Sequence, residues 1–155
     1  MKASAVGRMP LFIFLIASFL LMGAIPQATA QSRLNDKDVE HLMSNLHSDV
    51  KSFRPVFNSA LKKSAIRGTS QEKDARQLAR QFEKQTEAML NTFKEKKKAD
   101  NAFQTVVGTA QQLDALVRQF GQQSPAAPAW ARVQSDLDAL YPAFGLTPPV
   151  GARAY

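Results

Sequence analysis

The chain has 155 residues, of which 45% are hydrophobic, and a formal net charge of +7 at pH 7. This length fits one domain of ordinary size. The sequence contains no cysteine, which excludes disulfides, a thiolate nucleophile, lipid attachment through cysteine and CxxCH haem attachment. The moderate positive charge permits attraction to anionic lipid, polysaccharide or nucleic acid but does not require it.

The first 30 residues have the pattern of a secretory signal peptide. Lys2 and Arg8 form a positive n-region, the stretch 11–25 is almost entirely apolar, and small residues at 28–30 provide a cleavage site. An uncleaved anchor is a weaker interpretation because the apolar run is shorter than the ~20 residues of a membrane span. We expect a mature chain that starts at Gln31, contacts membrane only through the signal peptide before cleavage, and is periplasmic or secreted in a bacterium.

The stretch from Val39 to Leu61 has the clearest pattern in the mature chain. Its apolar residues recur at spacings of three and four, as on one face of an α-helix; they are Val39, Leu42, Met43, Leu46, Val50, Phe53, Phe57, Ala60 and Leu61. Asn35 is the predicted N-cap and the helix is predicted to run to about Lys63, with a kink and not an end at Pro55. An apolar face of this length needs partners, which the rest of the chain must supply.

Three further amphipathic helices follow. Thr69 to Glu72 form a capping box for the second helix, and Asp100 is the predicted cap of the third. The fourth helix is predicted to start at Ser124-Pro125 or at Pro128. The apolar faces of these helices are Ala75, Leu78, Ala79, Phe82, Met89, Leu90 and Phe93; Phe103, Val106, Val107, Ala110, Leu113, Leu116, Val117 and Phe120; and Trp130, Val133, Leu137, Leu140 and Tyr141.

No stretch of the sequence alternates apolar and polar residues as a half-buried strand does. The predicted fold class is therefore all-α, with an antiparallel four-helix bundle after an N-terminal signal peptide helix. The expected organisation is a signal peptide over 1–30, a four-helix domain over 31–146 and a flexible C-terminal tail over 147–155.

The sequence has two histidines, His41 and His47, both in the first predicted helix. Their separation of six residues turns the side chains about 120° apart, so they cannot clamp one metal ion as an i, i+4 pair does. Haem in a bundle needs ligands that point inward from facing helices, whereas Met43 and Met89 at inward positions are better explained as core residues. We interpret both histidines as surface residues and expect no metal or cofactor.

Acidic residues form two short patterns, Asp36-x-Asp38-x-Glu40 and Asp136-x-Asp138. Both lie in predicted helices, where successive carboxylates diverge, and the first lacks the glycine and the distal glutamate of a calcium-binding EF-hand loop. We interpret them as partners of a helix dipole and as part of a solvated face.

Asp114 lies at the edge of the apolar face of the third helix. A buried carboxylate there would mark a candidate site. The interpretation that we favour is a rim residue that pairs with Arg118 one turn later, because i, i+4 ion pairs are common on helix surfaces.

No set of residues in the sequence matches a known catalytic arrangement. There is neither a Gly-x-Ser-x-Gly nucleophile motif nor a glycine-rich phosphate loop, and no pair of acids stands out. The prediction is a protein that is not an enzyme, with no catalytic residue to name.

The clearest charge cluster lies at the end of the second helix and consists of Lys94, Lys96, Lys97 and Lys98. A neighbouring loop is predicted to add Lys62, Lys63 and Arg67 to it. Lysines at a helix C-terminus favour the helix dipole by themselves. As a contact surface they fit anionic envelope polymers or lipid headgroups. Nucleic acid is disfavoured, since no aromatic residues are interleaved and export is expected.

Several short motifs carry a resemblance to other proteins; they are Leu34-Asn35-Asp36-Lys37-Asp38-Val39, Gly68-Thr69, Phe82-Glu83, Phe93-Lys94 and the closing Trp130, Val133, Asp136-Leu137 and Leu140. Together they resemble a group of small exported helical proteins of uncharacterised function in bacteria. The architecture is also similar to periplasmic helical chaperones and bundle cytochromes. However, Leu146-Thr147-Pro148-Pro149 is half of the chaperones' Leu-Thr-x-x-Gln signature, and the inward haem ligands of the cytochromes are missing.

The sequence therefore predicts an exported non-enzymatic module that binds an unknown envelope protein or has a structural role. The alternative is a cationic binder of anionic envelope polymers or lipid headgroups through the Lys94–Lys98 cluster.

Overall fold

The computed structural model describes residues 34–121 and 123–149, so the predicted signal peptide and the last residues of the predicted tail lie outside the described residues. The chain forms four α-helices, α1 (Asp36–Lys63), α2 (Ser70–Lys96), α3 (Asp100–Gln119) and α4 (Ala126–Leu140), and a 3₁₀ turn over Tyr141–Phe144. No β-strand occurs within the described ranges, which confirms the all-α class.

Helix α1 begins and ends where the sequence predicts. The Asn35 side chain accepts a hydrogen bond from the Asp38 N–H at 2.9 Å, which confirms the N-cap. Pro55 lies inside the helix and does not end it. The C-cap is Ser64 in an extended conformation, whereas the left-handed Gly68 (φ +78°) belongs to the turn that leads into α2.

The capping box of α2 is present in a modified form. Thr69 Oγ1 accepts the Glu72 N–H at 3.4 Å, and the Glu72 carboxylate accepts the N–H of Gly68 at 2.6 Å, one residue before the cap. This backbone hydrogen bond and the neighbouring Arg76 guanidinium lower the pKa of Glu72. At its other end α2 closes on Lys97, which has a left-handed backbone (φ 53°).

The starts of α3 and α4 differ slightly from the prediction. Asp100 is the first residue of α3, and Ala99 takes the cap position without a side-chain hydrogen bond. The Ser124 hydroxyl accepts the Ala126 N–H at 3.3 Å, so α4 starts after Pro125, and Pro128 lies within the first turn. Gly145 (φ +67°) closes the 3₁₀ turn that contains Pro142.

The four helices pack around one core. Helix α1 packs against both α2 and α4. Helix α3 packs mainly against α2 and makes a smaller contact with α4. Phe53 of α1 lies 5.1 Å from Phe57 and 5.0 Å from Trp130 of α4, measured between ring centroids, and Phe82 of α2 lies 5.9 Å from Trp130. Full burial of one such side chain stabilises the fold by roughly 1.5–3 kcal/mol.

The predicted apolar faces agree closely with the core. Their residues are buried except for five partly buried side chains that pack against its margin, which are Leu42, Leu78, Val107, Leu116 and Phe120. Thr86, which the pattern did not include, is also buried. In the part of the chain that the structure describes, no helix is long and apolar enough to cross a membrane.

Replacing Pro55 with alanine is expected to stabilise the protein. Pro55 is exposed inside α1 and cannot donate a hydrogen bond to the carbonyl of Lys51. The restored hydrogen bond outweighs the greater freedom that alanine gives the unfolded chain, so the free energy of unfolding should rise by about 1–2 kcal/mol. Urea denaturation measures this gain. The exposed Ser59→Ala, one turn later, is the control and should gain about 0.5 kcal/mol or less; an equal gain in both variants contradicts the prediction.

Candidate functional site

The candidate site is the α3–α4 cleft, an open depression of about 360 Å³ where these two helices separate. Its walls are largely apolar and consist of Val107 and Ala110 of α3, Trp130 and Leu137 of α4, and Tyr141 and Pro149. Its polar residues are Gln111, Asp114 and Arg118 of α3 with Gln134 and Asp138 of α4. Apolar walls with a few converging polar groups are typical of binding pockets.

Asp114 joins the two helices at this cleft. Its Oδ1 accepts hydrogen bonds from Trp130 Nε1 at 2.8 Å and Gln134 Nε2 at 3.0 Å, and its Oδ2 accepts one from Arg118 Nε at 2.8 Å. The predicted Arg118 pair is therefore confirmed, and the carboxylate is partly buried. The indole and amide donors from α4 were not predicted, because helical periodicity does not show which residues of two helices lie opposite one another. Asp114 thus fixes the position of Trp130 in the cleft wall.

Asp138 lies farther along the cleft, on the face of α4 that also carries Gln134. It follows Gln134 by one turn and precedes Tyr141 by three residues, so these three side chains share one side of the helix. Burial, and then the negative charge of Asp138, raise the pKa of the Tyr141 hydroxyl. This part of the cleft therefore has a carboxylate beside aromatic and aliphatic surface, which suits ionic and hydrogen-bonded recognition.

A second carboxyl group on α4 faces α1. Asp136 and Asp49 of α1 are within hydrogen-bonding reach of each other, and both are partly buried. Burial, followed by the charge of Asp49 and the hydrogen bond to it, raises the pKa of Asp136 to about 6. The Oδ2 atom of Asp136 is buried and accepts no hydrogen bond from any described residue. The interpretation of Asp136 as part of a solvated face was wrong, because Asp136 packs against Asp49 of α1, and the pattern within α4 does not show this neighbour.

The lysine cluster at the end of α2 contacts the start of α1. The Nζ atoms of Lys94 and Lys97 lie 4.0 and 3.5 Å from the carboxylate oxygens of Glu40. Lys97 also lies over the Phe93 ring, 5.6 Å from its centroid. Acidic residues surround the cluster, because Asp36 and Asp100 line a depression with Lys97 and Lys98, and Glu95 lies within the run itself. Glu40 thus pairs with two of the four lysines, and other carboxylates lie at the same end of α2, which the charge run alone did not indicate.

Lys62, Lys63 and Arg67 do not join this cluster. Lys62 lies 22 residues after Glu40 in the same helix, so it is about 33 Å from the level of the Glu40 side chain along the axis. All three residues are exposed. The neighbourhood predicted from the sequence is therefore not formed, since the loop after α1 and the end of α2 belong to opposite ends of helix α1.

The two histidines have different environments. His41 is exposed, and its Nδ1 lies 3.3 Å from the Asn45 amide nitrogen. His47 is partly buried, with Nδ1 at 3.2 Å from the Thr86 hydroxyl oxygen. Because that hydroxyl donates its proton to the Glu83 carbonyl at 2.8 Å, it accepts from the Nδ1–H of His47. Among the described residues, no group of three or more histidine or acidic side chains could hold a metal ion.

Comparison with known proteins does not identify a relative: no family model matches the chain, and neither do the curated proteins or the solved structures. The resemblance to small exported bacterial proteins therefore stays a prediction. Function has to be inferred from the chain's own geometry.

Asp136→Asn is expected to remove a pH-dependent loss of stability. The pKa of Asp136 is about 6 in the folded protein against an ordinary value of 3.8, so the folded state binds more protons between these values. Its contribution to stability is thus complete below about pH 4 and is lost as the pH rises through about 6. The neutral asparagine avoids this loss, and at pH 7 the variant should be more stable than the wild type by about 1 kcal/mol after allowance for solvent screening.

Urea denaturation at pH 4, 5, 6 and 7 measures the difference between variant and wild type. Asp74→Asn, at an exposed position of α2, is the matched control and should follow the wild-type profile. A difference for Asp136→Asn that stays constant from pH 4 to 7 contradicts the assignment.

Proposed function

We propose that this protein is an exported, non-enzymatic antiparallel four-helix bundle that acts by binding a partner protein in the bacterial envelope. The observation that carries the proposal is the α3–α4 cleft, which has apolar walls and fixed polar groups. Its volume of about 360 Å³ lies within the range of protein ligand pockets. Gln31 is the proposed first residue of the mature chain.

Pairs of residues on α1 and α2 support the antiparallel arrangement. Glu40 of α1 pairs with Lys97 at 3.5 Å, and Arg54, farther along α1, pairs with Glu83 at 2.9 Å. Residue numbers therefore rise along one helix as they fall along the other, as expected for antiparallel neighbours.

The neighbours of α4 support the same arrangement. Asp49 and Phe53 of α1 contact Asp136 and Trp130 respectively. On the other side, the ring centroids of Phe103 and Tyr141 are 5.3 Å apart at one end of the α3–α4 contact, while Asp114 bonds Trp130 farther along. In the α1–α4 pair and in the α3–α4 pair, residue numbers rise along one helix as they fall along the other, as expected for antiparallel neighbours.

Binding is favoured over catalysis because the polar groups around Asp114 serve to position one another. The Asp114 carboxylate accepts hydrogen bonds from Arg118, Trp130 and Gln134, and one of these donors, Trp130, also packs in the core. A carboxylate held in this way orders the wall of the cleft, whereas acid–base catalysis needs a group that can exchange its proton with a substrate. The arrangement suits a surface that recognises a partner by shape and charge.

The alternative proposal is a cationic binder of anionic polymers or lipid headgroups through Lys94, Lys96, Lys97 and Lys98. The exposure of all four lysines at one end of α2 favours it. The nearby carboxylates reduce the field of the cluster, and salt screens what is left. We therefore regard this function as secondary.

A photo-cross-linking residue at Gln111 is expected to capture a partner in intact cells. Gln111 lines the α3–α4 cleft, whereas the adjacent and equally exposed Gln112 lines a depression between α2 and α3. Position 111 should give one discrete cross-linked species, and position 112 should give at least fivefold less of it. N-terminal sequencing of the cross-linked chain should start at Gln31. Equal cross-linking at both positions, no cross-linking at 111, or consistent turnover in a substrate screen contradicts the proposal.

Adsorption to anionic vesicles tests the alternative. The balance of lysines and carboxylates at this end of α2 predicts weak adsorption to vesicles that contain phosphatidylglycerol. The variant Lys96→Gln/Lys98→Gln should therefore change it by less than twofold, as should the control Lys62→Gln/Lys63→Gln, measured by cosedimentation. Strong adsorption that 0.5 M salt abolishes and that only the first variant weakens would favour the cationic binder.

A further inference from the structure

Asp138 differs from the other charged residues of the α3–α4 cleft because no described residue forms a hydrogen bond or an ion pair with it. Its side chain is partly buried and lines the cleft with Leu137 and Tyr141, whose hydroxyl pKa its charge helps to raise. A partly buried carboxylate without a counter-charge has lost part of its hydration and has gained no partner in return. Its charge is therefore available to a ligand.

The basic residue of the cleft, Arg118, forms its ion pair with Asp114 and not with Asp138. Arg118 pairs with Asp114 at 2.8 Å, and Asp114 is also bonded to Gln134, which precedes Asp138 by one turn, or about 6 Å of helix rise. Since α3 and α4 run in opposite directions, Arg118 lies on the far side of Asp114 from Asp138. The two charged residues that α3 contributes to the cleft thus neutralise each other, and the negative charge of Asp138 stays uncompensated within the described part of the cleft.

We propose that the α3–α4 cleft binds a basic side chain of the partner polypeptide, arginine in preference to lysine, with Asp138 as the anionic contact. This inference rests on the proposed partner-binding function and specifies its chemistry. A guanidinium presents parallel N–H donors to a carboxylate and tolerates aromatic neighbours better than an ammonium does; Asp138 supplies the carboxylate, and Tyr141 lines the same part of the cleft. Leu137 and Tyr141 would contact the aliphatic part of the side chain.

Charge complementarity selects this occupant over others. The mature chain is basic overall, so a cationic partner is repelled by most of its surface. A local carboxylate in an apolar cleft therefore gives a cationic side chain one favourable place, and the net positive charge of the rest of the chain disfavours wrong registers. A purely apolar or an acidic partner would leave Asp138 buried without a counter-charge.

The test uses two peptides, acetyl-Ala-Leu-Arg-Leu-Ala-amide and the same peptide with neutral citrulline in place of arginine. Isothermal titration calorimetry measures binding, because Trp130 has an exposed fraction of 1% and its fluorescence would respond weakly to a ligand in the cleft. The arginine peptide should give a saturable heat of binding, and the citrulline peptide should bind at least tenfold more weakly. Asp138→Asn should weaken the arginine peptide about tenfold, and 0.5 M salt should also weaken it.

Asp74→Asn, which alters a carboxylate in the depression between α2 and α3, is the matched control and should bind as the wild type does. Asp138→Ser is a second variant, and circular dichroism checks that each variant folds. The inference is overturned if the arginine peptide gives no saturable change, if citrulline binds equally, or if both Asp138 variants bind normally. Tighter binding of spermidine than of the peptide overturns the polypeptide partner in favour of a small organic cation.

Cross-linking separates this inference from the proposed function. If the species captured at Gln111 is unchanged in Asp138→Asn, a partner occupies the cleft without the predicted ionic contact, and the inference alone fails. If wild type gives no cross-linked species at this position, the proposed function fails first. A loss of at least fivefold in Asp138→Asn, with no loss in Asp74→Asn, supports both.

Discussion

The fold depends on covering the long apolar face of α1 in the part of the chain that the structure describes. This helix packs on two sides, against α2 and α4, and places Phe53 and Phe57 among the aromatic residues of the core. Because α2 and α4 are both held by α1, helix α3 is left to fill the remaining side and packs mainly on α2. The weaker contact between α3 and α4 is a consequence of this order of packing, and it is where the cleft forms.

At the margin of the core, hydrogen bonds join α3 and α4 where their apolar packing ends. Trp130 has an exposed fraction of 1%, and its ring packs against Phe53 and Phe82 while its Nε1 donates to Asp114. The same side chain thus belongs to the core and to the cleft. Movement of α3 relative to α4 would cost both the indole hydrogen bond and aromatic packing, so the cleft is expected to keep its shape when a partner binds.

The helices, the N-caps of α1 and α2 and the core could be predicted because each depends on residues near one another in sequence. Asn35 and Thr69 cap the helices that follow them, and the spacing of apolar residues identifies the buried faces. The roles of Asp136 and Asp114 could not be predicted in full. Periodicity gives the side of a helix on which a residue lies, but the residue that faces it depends on the relative register of two helices, and local patterns do not encode that register.

The charged residues show the same limit of prediction from sequence, because folding decides which charges acquire a partner. The run of lysines at the end of α2 is the most visible charged feature of the sequence, yet packing places the acidic first turn of α1 beside it and Glu40 within 3.5 Å of Lys97. Asp138 belongs only to the short pattern Asp136-x-Asp138, yet packing places it in the open α3–α4 cleft without a described counter-charge. A charge contributes to recognition through what remains unneutralised after folding, and low local dielectric increases its effect. One partly buried carboxylate is therefore a better candidate for specific contact than several exposed lysines that already have acidic neighbours.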